Sequence, residues 1–139
     1  MTLVDTNVLL DLVTADPVWA DWSLAALDAA SLAGPIAIND IVYAELSVRF
    51  DTIEALDALL EQAGIDLALM PRPALFLAGK AFLAYRAAGG ARTGVLPDFL
   101  IGAHAAVANC DLLTRDVGRY GTYFPTVGLI TPPAKIRRA

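Results

Sequence analysis

Five short apolar runs recur along the chain, each too brief for a helix and each separated from the next by helix-length sequence: Thr2 to Val4, Ile36 to Ile38, Leu67 to Met70, Asp111 to Thr114 and Thr126 to Ile130. Strand-length and helix-length segments in alternation predict a parallel sheet covered by helices on both faces. The punctuation between them agrees. A helical stretch follows Asp5. Asp16 as N-cap and Pro17 as first helical residue open a helix through Trp19 and Trp22 toward Leu32, and Gly34-Pro35 ends it. Asn39-Asp40 caps a helix from Ile41 to about Phe50, and Thr52 to Gln62 forms another that stops at Gly64. Pro73 to Ala88 is closed by Gly89-Gly90. A loop, Ala91 to Leu96, precedes the helix that Pro97 opens.

The 139 residues suit one domain, assigned to residues 1–131. Residues 132–139 form a basic tail with Lys135, Arg137 and Arg138, expected to be mobile. A composition 57% hydrophobic and 18% charged supplies a core easily, and the surplus apolar surface points to a partner interface. The apolar runs fall well short of the ~20 residues of a membrane span. Asp5 and Asp11 stand where a secretory signal would need a basic start and an apolar stretch, so the cytoplasm is the expected compartment. The single Cys110 forms no internal disulfide. The net charge of −5 opposes nucleic-acid binding unless the acids share a pocket that holds cations.

Open parallel sheets carry their sites at the carboxyl ends of the strands. Asp5 ends the first strand and Asp116 follows the fourth by two residues, so both belong at one edge. Asp98, just after Pro97, could be no more than an acid favoured by the helix dipole. The rest of its helix, however, is apolar on every side, and its start faces the same sheet edge. Glu45 lies among Ile41, Val42, Tyr43, Ala44, Leu46 and Val48, where a carboxylate needs a partner or a metal. Arg49, four residues on, offers the plain alternative of a helical ion pair. Asp111 belongs at the opposite edge, Asp16 and Asp40 are caps, and Asp11 is a minor candidate. Four converging carboxylates need cations between them, and oxygen ligands without a His or Cys cluster suit Mg²⁺ or Mn²⁺. That chemistry serves hydrolysis at phosphorus.

Val4-Asp5-Thr6-Asn7, Ala44-Glu45-Leu46, Leu96-Pro97-Asp98-Phe99 and Leu113-Thr114-Arg115-Asp116 resemble, in order, the motifs of PIN-domain ribonucleases, and in particular those of VapC-type toxins of toxin–antitoxin pairs. The resemblance runs from Leu3 to about Ile130. It implies a three-layer α/β/α fold around a central parallel sheet and a Mg²⁺- or Mn²⁺-dependent endoribonuclease. Asp5, Glu45, Asp98 and Asp116 would ligate metal or orient the attacking water, with Thr6, Asn7 and Thr114 supporting them by hydrogen bonds. It further implies an RNA substrate, a homodimer and a cognate antitoxin that blocks the site. Transfer-RNA anticodon loops and ribosomal-RNA hairpins both stay open as targets.

Other residues are weighed against plain packing. His104 lies about 120° around its helix from Asp98 and is read as a core or interface residue. Cys110 is read as a small buried apolar residue. Among Arg86, Arg92, Arg115 and Arg119, the first choices for phosphate contact are Arg92 and Arg115, in loops beside site acids. Trp19 and Trp22, three apart, favour core or interface over base stacking. Tyr120, Tyr123 and Phe124 could meet a base or pack the loop that follows Asp116. A haloacid-dehalogenase-type phosphatase would need Asp where Asn7 stands. A receiver domain would need a Lys after its last strand, which neither Lys80 nor Lys135 supplies. The remaining rival is a PIN-like scaffold that binds a partner without cutting; such scaffolds usually lose site acids, and this chain keeps four.

Overall fold

A computed structural model describes residues 1–92, 94 and 96–133. The predicted C-terminal tail from residue 134 onward, and Thr93 and Val95 of the predicted loop, lie outside the described residues. Five strands, β1 (Thr2–Val4), β2 (Ile36–Ile38), β3 (Ile65–Leu67), β4 (Asp111–Leu113) and β5 (Leu129–Ile130), form one parallel sheet in the order β3-β2-β1-β4-β5. The helices are α1 (Thr6–Val13), α2 (Ala20–Ala33), α3 (Asp40–Ser47), α4 (Ile53–Ala63), α5 (Arg72–Ala87), α6 (Pro97–Ala108) and α7 (Gly118–Tyr123). The fold is the three-layer α/β/α arrangement that the alternation predicts. Every residue of β2 is buried, as are Leu3, Val4, Leu112 and Leu113, because helices cover the sheet on both faces.

Local chemistry sets the joins. Asp5 and Asn39 follow β1 and β2 directly and cap α1 and α3: Asp5 accepts from the Thr6 amide, Asn39 from those of Ile41 and Val42. Thr52 caps α4, and Gly64 ends it in the left-handed region at φ 70°, where a side chain would be strained. Because the chain leaves Gly64 straight into the sheet, β3 begins at Ile65, opposite Ile36, and ends at Leu67. The strand predicted over 67–70 therefore lies earlier. Helix α2 starts at Ala20 rather than Pro17, since the Asp16 carboxylate takes the Val18 and Trp19 amides, both at 2.9 Å, and holds a turn there. Helix α3 stops at Ser47, short of Phe50, and only Leu129 and Ile130 of the predicted last strand pair with β4. The segment after Asp116, predicted as loop, contains α7.

The start of α6 is seated by aromatic packing. Phe99 is buried against Tyr85, Tyr123 and Phe124, with ring centroids 5.5, 5.4 and 6.4 Å away. Gly102, one turn on, lets the Phe124 ring lie against the helix backbone, where a Cβ would collide with it. These contacts fix Asp98, the neighbour of Phe99.

Candidate active site

The sheet register brings the first and last acid motifs together. Val4 pairs with Leu113, and the Asp5 amide donates to the Leu113 carbonyl at 2.9 Å, so Asp5 and Thr114 leave the sheet side by side. Asp5 is buried, and its Oδ2 accepts from the Thr114 hydroxyl at 2.7 Å, the Tyr120 hydroxyl at 3.0 Å and Asn7 Nδ2 at 3.3 Å. Among the described residues, Oδ1 accepts only the Thr6 amide, at 2.7 Å. One carboxylate oxygen is thus saturated by neutral donors while the other keeps acceptor capacity.

The neighbouring side chains extend this network. The Thr6 hydroxyl donates to Glu45 Oε1 at 2.7 Å, joining α1 to α3. No Glu45–Arg49 ion pair forms, which removes the plain alternative for Glu45. Thr114 Oγ1 accepts the Asp116 amide at 3.0 Å, and Asp116 Oδ1 accepts the Gly118 amide at 2.9 Å, turning the chain into α7. Asp98 is half-buried and pairs with Arg119 Nη1 at 2.9 Å.

The electrostatics single out Asp5. Burial raises its carboxyl, hydrogen bonds from Thr114 and Tyr120 lower it, and the Asp98 charge raises it again; the group ends pushed up to about 6. Burial also pushes the Tyr120 hydroxyl far up, with the charges of Asp5, Asp98 and Asp116 acting in the same direction. Tyr120 therefore remains a proton donor to Asp5, in a field made negative by three acids. Hard oxygen donors in such a field fit a divalent cation. As the side chains lie, no three acidic, His or Cys groups among the described residues are close enough to ligate one ion. Mg²⁺ commonly takes only one or two carboxylates and keeps several waters, so the donor set still fits.

The remaining candidates separate cleanly. Asp11 is buried six residues from Asp5, but Arg115 holds it through Nε and Nη2 at 2.8 and 2.9 Å and Ser23 donates to it at 2.7 Å. Arg115 is therefore largely committed to Asp11. Arg119 lies on Asp98 and over the Tyr85 and Phe99 rings. Arg86 ties the loop by donating to the Gly90 and Arg92 carbonyls at 3.0 and 2.9 Å, and the Arg92 side chain is exposed. His104 is buried, and that burial lowers its pKa and favours the neutral ring. Burial pushes the Cys110 thiol up, so it stays protonated. Tyr120 is the residue that sequence reasoning left undecided. Its signal was the Asp116-Val117-Gly118 turn, which opens a helix and aims the residue four beyond Asp116 back at Asp5.

Comparison with known proteins places this arrangement. Residues 2–121 match the PIN domain family. No protein among the curated ones matches the sequence. Among solved structures, VapBC2 from Rickettsia felis bound to a DNA fragment from their promoter is similar at TM-score 0.72 and 20% identity, over 95% of this chain and 98% of that chain. VapBC-1 from nontypeable Haemophilus influenzae is similar at TM-score 0.69 and 18% identity, over 94% and 96%. FitAcB from Neisseria gonorrhoeae is similar at TM-score 0.66 and 24% identity, over 95% and 98%. With a family match over most of its length and the same fold as these structures, the chain belongs to the PIN-domain family.

Proposed function

We propose that the chain is a Mg²⁺- or Mn²⁺-dependent endoribonuclease and the VapC-type toxin of a toxin–antitoxin pair. The observation that carries this reading is Asp5: a buried carboxylate ringed by neutral donors, with no cationic side chain bonded to it among the described residues and with the Asp98 charge in its field. A carboxylate left so exposed to like charge is poised for an external cation. When bound, that cation supplies charge neutralisation at the scissile phosphate and activation of water. Asp5, Asp98 and Asp116 would hold it, and Glu45 would accept a proton from the attacking water. Thr6, Asn7, Thr114 and Tyr120 fix the carboxylates by hydrogen bonds, which limits their reorganisation during hydrolysis of the phosphodiester.

The partners follow from the same reading. Leu24, Leu32, Phe76 and Leu83 are exposed apolar side chains, which supports a homodimer and a cognate antitoxin. No helix among the described residues is long and apolar enough to cross a membrane. The test is cleavage of total RNA by the partner-free chain with and without Mn²⁺, with Asp98→Asn in parallel. Bands that require Mn²⁺ and fall by about 100-fold or more in the variant are expected. Equal bands from both proteins, or none from either, would favour the partner-binding scaffold.

A further inference from the structure

Beside Asp116 the surface opens into a groove of about 330 Å³ lined by Asn7, Trp19, Arg115, Asp116 and Val117. Its size falls at the lower end of small-ligand clefts, which run from about 300 to 1,000 Å³. It is continuous with the acid cluster, because Asn7 donates to Asp5 from Nδ2 and accepts the Arg115 amide on Oδ1 at 3.2 Å. Trp22 packs against the core, whereas Trp19, displaced from it by the Asp16 turn, stays half-buried at the groove.

The Arg115 guanidinium stands over the Trp19 ring, 4.9 Å from its centroid. Two bonds to the buried Asp11 fix its orientation, and Ser23 fixes Asp11 in turn. The groove thus presents a rigid surface built from an indole and a guanidinium whose charge is already offset. Such a surface attracts a planar π-system by stacking more than a phosphate by charge. Single-stranded RNA is held in this way, on aromatic faces and Arg planes, with little demand on base identity.

We propose that this groove is the subsite for the nucleotide next to the scissile phosphate of a single-stranded RNA, its base stacked on the Trp19–Arg115 surface. The assignment rests on the endoribonuclease reading of the acids. It changes the place of Trp19 from packing residue to substrate contact and gives Arg115 a stacking role instead of a phosphate one.

The test titrates 5′-fluorescein-labelled hexaadenylate RNA with the intact chain, reading fluorescence anisotropy with Ca²⁺ in place of Mg²⁺. Cleavage of the same RNA is measured separately in Mn²⁺. A saturable rise in anisotropy is expected. Trp19→Ala should weaken binding and raise KM by about tenfold or more, with kcat within about threefold. Trp19→Phe should keep most of the affinity, which separates loss of a stacking ring from loss of fold. Unchanged binding and KM in Trp19→Ala, with cleavage intact, would overturn the groove and leave the nuclease reading standing. Equal losses in both variants with a lowered Tm would overturn it too, as would a parent chain that binds no RNA. Binding through Trp19 without any cleavage in Mn²⁺ would instead remove the nuclease reading and keep the groove as an RNA subsite.

Discussion

Asp5 and Asp11 lie six residues apart on one strand–helix unit, both buried, and their surroundings differ in one respect. Asp11 is held by the Arg115 guanidinium and a serine hydroxyl. Among the described residues, Asp5 receives a threonine hydroxyl, a tyrosine hydroxyl, an amide side chain and a backbone amide, and no cation. An ion pair offsets the cost of burying a charge, and neutral donors do so only in part. The protein has satisfied one aspartate for structure and left the other charged, desolvated and within the field of Asp98. Burial alone therefore does not distinguish the two acids; the chemistry of their partners does.

The sharpest way to break this contrast is activity. Asp5→Asn should lose RNA cleavage by about 100-fold or more, because the retained shape lacks the charge that would hold the cation. The second test is the pH dependence of stability. Asp5 sits at about 6 in the folded chain against an ordinary 3.8. Between those values the folded chain keeps a proton that the unfolded chain has lost, so ionising Asp5 costs folding free energy as pH rises through this window. The cost is complete above about pH 6. Relative to the parent, metal-free Asp5→Asn should gain on the order of 2–3 kcal/mol between pH 4 and pH 7, measured by urea unfolding at both.

Removing the satisfied acid should act in the opposite sense. Asp11→Ala leaves Arg115 partly buried and unpaired, which should lower stability by about 2 kcal/mol, and Tm by roughly 5–10 °C in a scanning calorimeter. The smallest effect is expected at Tyr120. Tyr120→Phe removes one of three donors to Asp5 Oδ2 and should cost about 1 kcal/mol of stability and roughly tenfold in Mn²⁺ affinity. A Tyr120→Phe chain with unchanged Mn²⁺ affinity would make that hydroxyl a packing device only.

Much of this was legible in the sequence for identifiable reasons. Asp5 and Asp116 could be placed at one edge because short apolar runs mark strand ends, and Pro97 marks where Asp98 begins a helix. What escaped depended on contacts distant in sequence. Tyr120 reaches Asp5 across 115 positions, from a helix whose two glycines disguise it as a loop. The bond of Arg115 to Asp11 could not be read because the two lie 104 residues apart. Trp19 looked paired with Trp22 because helical spacing assumed a helix from Pro17, where the Asp16 carboxylate holds a turn instead. The shifted third strand has the same origin: local apolarity favours 67–70, while pairing with Ile36 selects Ile65.

On this reading the Asp5 cluster, and not the buried Asp11, would hold a divalent cation. Calorimetric titration of Mn²⁺ into the parent, Asp5→Asn and Asp11→Asn chains tests it most directly. The expected result is binding in the parent, a loss of about 10- to 100-fold or more in Asp5→Asn, and an affinity within about threefold of the parent in Asp11→Asn. Equal Mn²⁺ affinity in the parent and Asp5→Asn, or no binding by the parent, would contradict it.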